Sequence, residues 1–364
     1  MLVYIIVAAI LFLGVVAKQS RQMYWIGFWG LFAITAFRNP DLGGSDALIY
    51  QAYFQDVPGI FSLLGYESKY SIGYTLLNAF VKTFSDDFML FQFAYAVVTF
   101  YLLHYILSKL KFSYKERCLF LLSYFAFRFI WNEWVVLRQN LSDLFFWAIL
   151  LAIYDLLEKK RNEVRAYYIK FIGLLVLSIS IPALFHTSAY FNIGVLVLLL
   201  WFRTFSVKTK VIITVVLCAL CLIGAQEIFG RLFSFATSID SRYEMYGDTG
   251  DTAQNIISTI VKYLFFSLFV WHYNTETYKY KQFLLDTMAI TCIMSSVNVE
   301  IMIRMYEYYA IGFYGIMAIF LHNFTNKHIF MASLFFLGLL IILVRFLLIF
   351  GGGMFSQYAL GISI

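Results

Sequence analysis

The sequence predicts an all-α, polytopic membrane protein, and three observations predict it. Hydrophobic residues make up 62% of the 364-residue chain, only 13% are charged, and the mean hydropathy is +0.78. A soluble domain is roughly half apolar, so lipid must cover the excess. Apolar runs of about 17–25 residues, long enough to cross a bilayer as a helix, recur along the whole chain. These runs do not alternate apolar and polar residues in segments of about ten, as a membrane β-barrel does.

Taken in order, the runs are 1–17, 22–37, 88–108, 117–132, 139–157, 166–184, 187–203, 210–228, 256–273, 283–299, 305–321 and 329–350. They amount to about twelve spans in a single integral membrane domain covering residues 1–364. The first has no basic n-region and no small-residue cleavage site, so it reads as a retained span rather than a signal peptide. Lys18 and Arg21 separate it from the second, which ends at Arg38. There "FRNPDLGGSDALIY" sets Arg38, Asp41 and Asp46 around Gly43-Gly44 and opens the loop 38–87. Within that loop "YSIGYTLLNAFVKTF", residues 70–84, is short for a crossing and carries Asn78 and Lys82. It predicts a juxtamembrane helix lying at, or dipping into, the outer face.

The remaining junctions alternate. Lys109, Lys111, Lys115 and Arg117 join spans three and four, and Lys159, Lys160, Arg161, Arg165 and Lys170 join five and six. Arg203, Lys208 and Lys210 join seven and eight, Lys279 and Lys281 nine and ten, and Lys327 eleven and twelve. With Lys18 and Arg21, seventeen of the 27 basic residues then lie on one side. That side is cytoplasmic by the positive-inside rule, and both termini face out. The two longest outward loops, 38–87 and 229–255, exceed what a connection needs.

The net charge of +6 therefore reports topology and not nucleic-acid binding. Cys118, Cys218, Cys221 and Cys292 all fall inside apolar runs. Cys218 and Cys221 share a helix face without a second ligand pair, which argues for packing over zinc. "GDTGD" at 247–251 lacks the length and terminal glutamate of a calcium loop, and Asp86-Asp87 reads as a solvated turn. No phosphate-binding glycine loop, nucleophile elbow or zinc motif appears, so neither metal nor cofactor is expected.

Ten basic residues lie outside the cytoplasmic junctions: Arg38, Lys69, Lys82, Arg128, Arg138, Arg231, Arg242, Lys262, Arg304 and Arg345. An arginine inside the bilayer costs at least about 2.5–3.5 kcal/mol on insertion scales. One such residue is as well explained by snorkelling or an acidic neighbour. Arg38, Arg138, Arg242 and Arg304 together at one rim favour an anionic ligand, because the guanidinium fork pairs bidentately with phosphate. Asp46 and Tyr50 share a face if a helix begins after Gly44. Ser45 or Asp46 then suits an N-cap, and Asp46 also suits a proton acceptor. His186, in "IPALFHTSAYF", has a titration range fit for the same task. Glu133 and Glu300 read as charge partners of Arg138 and Arg304. Trp131 and Trp134 read as an interfacial belt.

These stretches, taken together, carry a resemblance. "AFRNPDLGGSDALIYQAYF", "VVLRQNLSDLFFWAILLAIY", "FHTSAYF", "SRYEMY" and "IRMYEYYAIGFY" resemble, in that order, the landmarks of the EpsG-like family of polysaccharide polymerases, relatives of the Wzy O-antigen and exopolysaccharide polymerases. The likeness runs from about residue 36 to 315. Asn140-Leu141-Ser142 departs from it, since the family prefers small apolar residues there. The resemblance implies a fold similar to GT-C membrane glycosyltransferases, at the outer face of the bacterial cytoplasmic membrane. It implies an oligosaccharide on undecaprenyl pyrophosphate as substrate, no metal or nucleotide sugar, membrane lipid as surroundings and a chain-length regulator as a further partner.

On that reading Arg138 and Arg304, with Arg38 or Arg242, hold the pyrophosphate, and His186 or Asp46 takes the acceptor's proton. Tyr50, Gln139, Tyr246, Glu300 and Tyr306 support the sugar. An O-antigen ligase would use the same chemistry on another acceptor. A transporter of lipid-linked oligosaccharide would place its polar residues at the bilayer midplane, where only Arg128 and Arg345 are expected. A membrane acyltransferase with His186 as base suits the several arginines less well.

Overall fold

The computed structural model describes residues 2–42, 45–158, 164–222, 252–273, 278–297, 305–325 and 329–349, and all regular structure among them is helical. Two apolar helices open the chain, α1 (Leu2–Val16) and α2 (Ser20–Ala36). Two short helices follow in the long loop, α3 (Ser45–Asp56) and α4 (Ile72–Lys82). Next comes α5 (Phe88–Lys109), capped by Asp87, whose carboxylate accepts from the Met89 N–H at 2.9 Å. Asp86 pairs with Lys82 at 2.8 Å, so the Asp86-Asp87 turn is a helix junction.

A capping box starts α6 (Tyr114–Tyr124): Glu116 accepts from the Ser113 N–H at 2.6 Å and Ser113 from the Glu116 N–H at 3.4 Å. The expected span 117–132 is not one regular helix. It continues through a π turn, Phe125–Phe129, into α7 (Ile130–Trp134). Then come α8 (Leu137–Glu158), α9 (Val164–Ala183), a 3₁₀ turn Thr187–Phe191, and α10 (Asn192–Phe202). The last helices are α11 (207–222), α12 (Thr252–His272), α13 (Lys281–Ser295), α14 (Ile311–Thr325) and α15 (Ile329–Ile349).

With 22 residues each, α5 and α8 are about 33 Å long, and they are long and apolar enough to cross a hydrocarbon core of about 30 Å. Shorter apolar helices cover Leu2–Val16, Tyr167–Ala183, Thr187–Phe202, Ile260–His272, Ile311–Asn323 and Ser333–Arg345. At 11 residues, α4 is only about 16 Å long and cannot cross. It buries Tyr74, Asn78 and Val81 and exposes Ile72, Leu76 and Phe80 on the other face.

The chain divides into two compact units, residues 1–189 with 318–364, and residues 190–317. In the first, α5 and α8 run parallel. Asn140 Nδ2 donates to the Tyr95 hydroxyl at 2.8 Å near their beginnings, and Lys109 pairs with Asp155 at 3.0 Å near their ends. The Lys109 end also gathers the start of α2, where Tyr24 meets His104 at 3.0 Å and the Arg117 guanidinium lies 5.7 Å from the Tyr24 ring centroid. The other end of α2, at Arg38, reaches Trp134. One rim of this unit thus carries the basic junctions and the opposite rim the ends of α2, α7 and α9.

In the second unit α12 and α13 are antiparallel, with Tyr263 hydrogen-bonded to Ser296 at one end and Tyr273 donating to Gln282 at 2.8 Å at the other. Lys210, expected at a cytoplasmic junction, instead lies within α11, fully buried, its ammonium 2.5 Å from the Asp286 carboxylate. Burying a lysine this deeply requires a paired carboxylate, and Asp286 supplies it.

Candidate active site

The rim opposite the basic junctions is built from four stretches far apart in the sequence. Asp46 falls in the first turn of α3, inside the helix rather than at its cap, where a carboxylate complements the helix N-terminus. One turn on, Tyr50 points inward: it is buried, and its hydroxyl donates to the Val135 carbonyl at 3.3 Å. This ties α3 to the turn between α7 and α8. Burial pushes the Tyr50 hydroxyl up to about 12, the Arg138 guanidinium pulls it back, and Asp46 adds to the rise. Tyr50 is therefore a neutral donor throughout the physiological range, with a cation and an anion beside it.

Four tyrosines form the floor. Tyr50 and Tyr74 have ring centroids 5.7 Å apart, Tyr53 and Tyr70 4.5 Å, and Tyr70 and Tyr74 5.9 Å. The Tyr53 hydroxyl bonds Ser68 at 2.8 Å and Thr75 at 2.7 Å, which holds the 68–75 segment in place.

Two arginines lie on aromatic faces here. The Arg38 guanidinium carbon is 4.1 Å from the Trp134 ring centroid, with Arg38 almost wholly buried, and that of Arg138 is 4.1 Å from the Tyr70 centroid. Such contacts contribute about 0.5–2 kcal/mol and leave the in-plane N–H edge to meet an anion. Gln139, next to Arg138, is buried at the start of α8.

His186 reaches the same rim through α9. Ser142 on α8 donates to the Pro182 carbonyl at 2.9 Å, Phe145 stacks on Phe185 at 5.0 Å, and the Gly73 N–H donates to the Leu184 carbonyl at 2.7 Å. The Ser188 N–H donates to His186 Nδ1 at 3.2 Å, and the Ser188 hydroxyl lies 2.7 Å from the same nitrogen. Nδ1 is thus an acceptor, so the neutral ring carries its proton on Nε2. The half-buried ring is built to donate from Nε2.

Glu133 does not pair with Arg138 as expected. It is buried, and Asn140 Nδ2 donates to its Oε1 at 2.9 Å. The Tyr124 hydroxyl donates to Asn140 Oδ1 at 3.2 Å, and Asn132 Nδ2 to that hydroxyl at 3.3 Å. The residues that depart from the family pattern thus hold the turn that presents Trp134 and Arg138: Asn140 clasps Glu133, and Ser142 pins α8 to α9.

Of the other expected residues, Tyr306 is buried in the second unit, where the Lys262 ammonium lies 4.0 Å from its ring centroid. Arg242, Tyr246, Glu300 and Arg304 lie outside the described residues.

The model of the EpsG family matches residues 21–360, nearly the whole chain and every one of these stretches. The chain belongs to the EpsG family. No curated protein and no solved structure matches it. EpsG membership, with the apolar helices, indicates a membrane protein with a polysaccharide polymerase-type role. The sequence marks Arg38, Asp46, Tyr50, Arg138 and His186 as candidates through charges at the ends of apolar runs, and the family landmarks contain the same residues. Sequence reasoning missed Tyr70, Trp134 and Asn140 as members of their surroundings, and Lys262 as the neighbour of Tyr306 in the second unit. Trp134 was hidden by its resemblance to an interfacial belt residue, and no spacing links Tyr70 to Arg138. Lys262 did carry a signal, as a lone cation in an apolar run.

Proposed function

We propose that the chain is a glycosyltransferase that joins oligosaccharide repeat units carried on undecaprenyl pyrophosphate, at the outer face of the cytoplasmic membrane. One observation carries this reading. Arg38 and Arg138 come from distant helices to one rim of one unit, each with its guanidinium face on an aromatic ring, around the Tyr50 that shares a helix face with Asp46. Two planar cations backed by rings suit a diphosphate better than a single carboxylate, because each N–H fork takes one phosphate.

In the reaction a hydroxyl of the incoming repeat attacks the anomeric carbon of the growing chain. The bond from that carbon to the pyrophosphate oxygen breaks, and its electron pair leaves on the oxygen. Arg38 and Arg138 stabilise that developing charge; Arg242 and Arg304, in the later family landmarks, stay candidates for pyrophosphate binding on the resemblance alone. The hydroxyl proton passes to Asp46, a carboxylate at a helix N-terminus. His186 donates from Nε2 to a sugar or phosphate oxygen; its Nδ1, engaged by Ser188, suits it less well as the base. Tyr50 and Gln139 support the sugar at this rim; Tyr246, Glu300 and Tyr306 stay candidates for sugar support on the resemblance alone. The apolar face of α4, Ile72, Leu76 and Phe80, rests in the outer leaflet beside the carrier's tail.

The deciding experiment incubates purified protein with a lipid-linked repeat unit, without nucleotide or metal, and resolves the product on a gel. A ladder of repeats on lipid carrier is expected. A single transfer to another molecule, or movement of the lipid without extension, would replace this reading.

A further inference from the structure

The rim that carries the basic junctions of the first unit holds a second group of cations, at the opposite end from Arg38 and Arg138. Arg21, in the first turn of α2, has its guanidinium carbon 5.8 Å from the ring centroid of Tyr114, and that of Arg117 on α6 lies 5.1 Å from the same centroid. Two helices thus bring one cation each to a single ring. Arg21 is exposed and Arg117 half-buried, and neither forms an ion pair among the described residues. Two acids of this rim are engaged elsewhere: Glu116 accepts from the Ser113 N–H, and Asp155 pairs with Lys109. Both arginines stand in the first turn of their helix, where the macrodipole opposes a cation. A topology signal needs basic residues in a junction, but not two of them on one ring.

The turn behind them is fixed. Lys111 takes a left-handed conformation, φ 58°, which disfavours any residue with a side chain, and its N–H donates to the Ser108 carbonyl at 3.1 Å. The next residue, Phe112, is buried, and its carbonyl accepts from Arg117 Nε at 2.9 Å. Glycine would hold this turn without strain; the lysine adds an exposed cation to it.

Aromatic and apolar surface adjoins the cations. Tyr24 is buried with its ring 5.6 Å from that of Tyr114, and its hydroxyl meets His104 Nδ1 at 3.0 Å. Trp25 packs on His104 at 4.9 Å. Tyr101 and Tyr105, within one turn of His104, are exposed on α5, and Ile26 and Trp29 are exposed on α2. A phospholipid needs this order of groups: cations for the phosphate, amphipathic rings at the interface, then apolar side chains for the acyl chains. A soluble phosphate would use the cations and leave the aromatic flank without a role.

We propose that Arg21 and Arg117, gathered on Tyr114, bind the phosphodiester headgroup of an anionic phospholipid whose acyl chains run along the exposed side chains of α2 and α5. The site stands apart from the Arg38 rim and does not depend on the transferase reading.

The full chain is placed in nanodiscs of phosphatidylcholine with or without phosphatidylglycerol. Melting is followed, and the lipid retained is counted by native mass spectrometry. Phosphatidylglycerol should stabilise the wild type and be retained in preference to phosphatidylcholine. Arg21→Gln should weaken that retention about tenfold, the loss expected of one charge-assisted contact, while Arg21→Lys should keep most of it. Unchanged retention in Arg21→Gln overturns the proposal. Lys170→Gln removes an exposed cation at another basic junction and should change nothing. If it costs as much as Arg21→Gln, the attraction belongs to surface charge as a whole and the site does not exist. Glycerol phosphate added to phosphatidylcholine discs should have no effect; stabilisation equal to that by phosphatidylglycerol would make the ligand a soluble phosphate and remove the lipid.

Arg117 also holds the Phe112 turn. Should Arg117→Gln fail to fold, Arg21→Gln, at an exposed side chain, decides the matter alone. Where the double variant folds, it should retain phosphatidylglycerol no better than phosphatidylcholine. Selectivity equal to that of Arg21→Gln would remove Arg117 from the site and overturn the pairing of the two arginines.

Discussion

Arg138 lays its guanidinium across the ring of Tyr70, its central carbon 4.1 Å from the ring centroid. The two residues come from different elements, and the contact orients the cation by its face. Arg138→Ala should abolish long polymer while the protein still inserts. Arg138→Lys keeps the charge and loses the fork, so the rate should fall by about 10–100-fold. Tyr70→Leu removes only the platform and should cost a few-fold, since an exposed cation–π contact is worth about 0.5–1 kcal/mol. Initial rates of ladder formation in proteoliposomes measure all three, and normal chain length in Arg138→Ala would end the assignment.

Gly73 approaches the His186 turn more closely than any side chain allows. A Cβ there would lie 2.8 Å from the Leu184 carbonyl oxygen and 2.8 Å from its Cβ, while the Gly73 N–H bonds that same carbonyl at 2.7 Å. Gly73→Ala must push α4 from the turn, with an overpacking cost of about 1–3 kcal/mol. Activity should drop although no charged group has changed. Melting and ladder rate, measured together with Gly73→Ser, check this; wild-type behaviour in both would show that the contact is not maintained.

Glu133 and Asn140 should behave as one unit. Glu133→Gln retains the shape and an acceptor for Asn140, and should cost under about 1 kcal/mol. Asn140→Leu removes the hydrogen bonds to Glu133, Tyr95 and Tyr124 while Asn132 still reaches both hydroxyls, and should cost about 1–3 kcal/mol. The turn bearing Trp134 and Arg138 should loosen with it. Thermal melts in detergent rank the variants; a Glu133→Gln protein worse than Asn140→Leu would contradict the network.

The Lys210–Asp286 pair calls for a double-mutant cycle. Both residues are fully buried at 2.5 Å, and Gln282 donates to Asp286 at 3.2 Å. Lys210→Met or Asp286→Leu alone leaves a buried charge without its partner and should destabilise by about 3–5 kcal/mol. The double replacement should recover most of that loss, because two apolar groups of similar volume avoid the desolvation cost. Yield and melting temperature of the four proteins close the cycle, and additive losses would mean the pair is not coupled.

Helical character, the limits of most apolar helices, the short α4 and the separation of Arg38 and Arg138 from the basic junctions of their unit are all legible in the residue order. Each of these follows from quantities that add up within one segment: transfer of apolar residues to lipid, helical length, and the distribution of basic residues at segment ends. Which groups face each other is set by the packing of the helices. Trp134 under Arg38, Tyr70 under Arg138, Asn140 rather than Arg138 against Glu133, and Asp286 against Lys210 all join residues from separate elements. Such contacts depend on how distant helices pack and which rotamers the packing leaves open. Local periodicity contains neither, so a cation that reads as part of a loop charge count can turn out to be buried against a carboxylate two helices away.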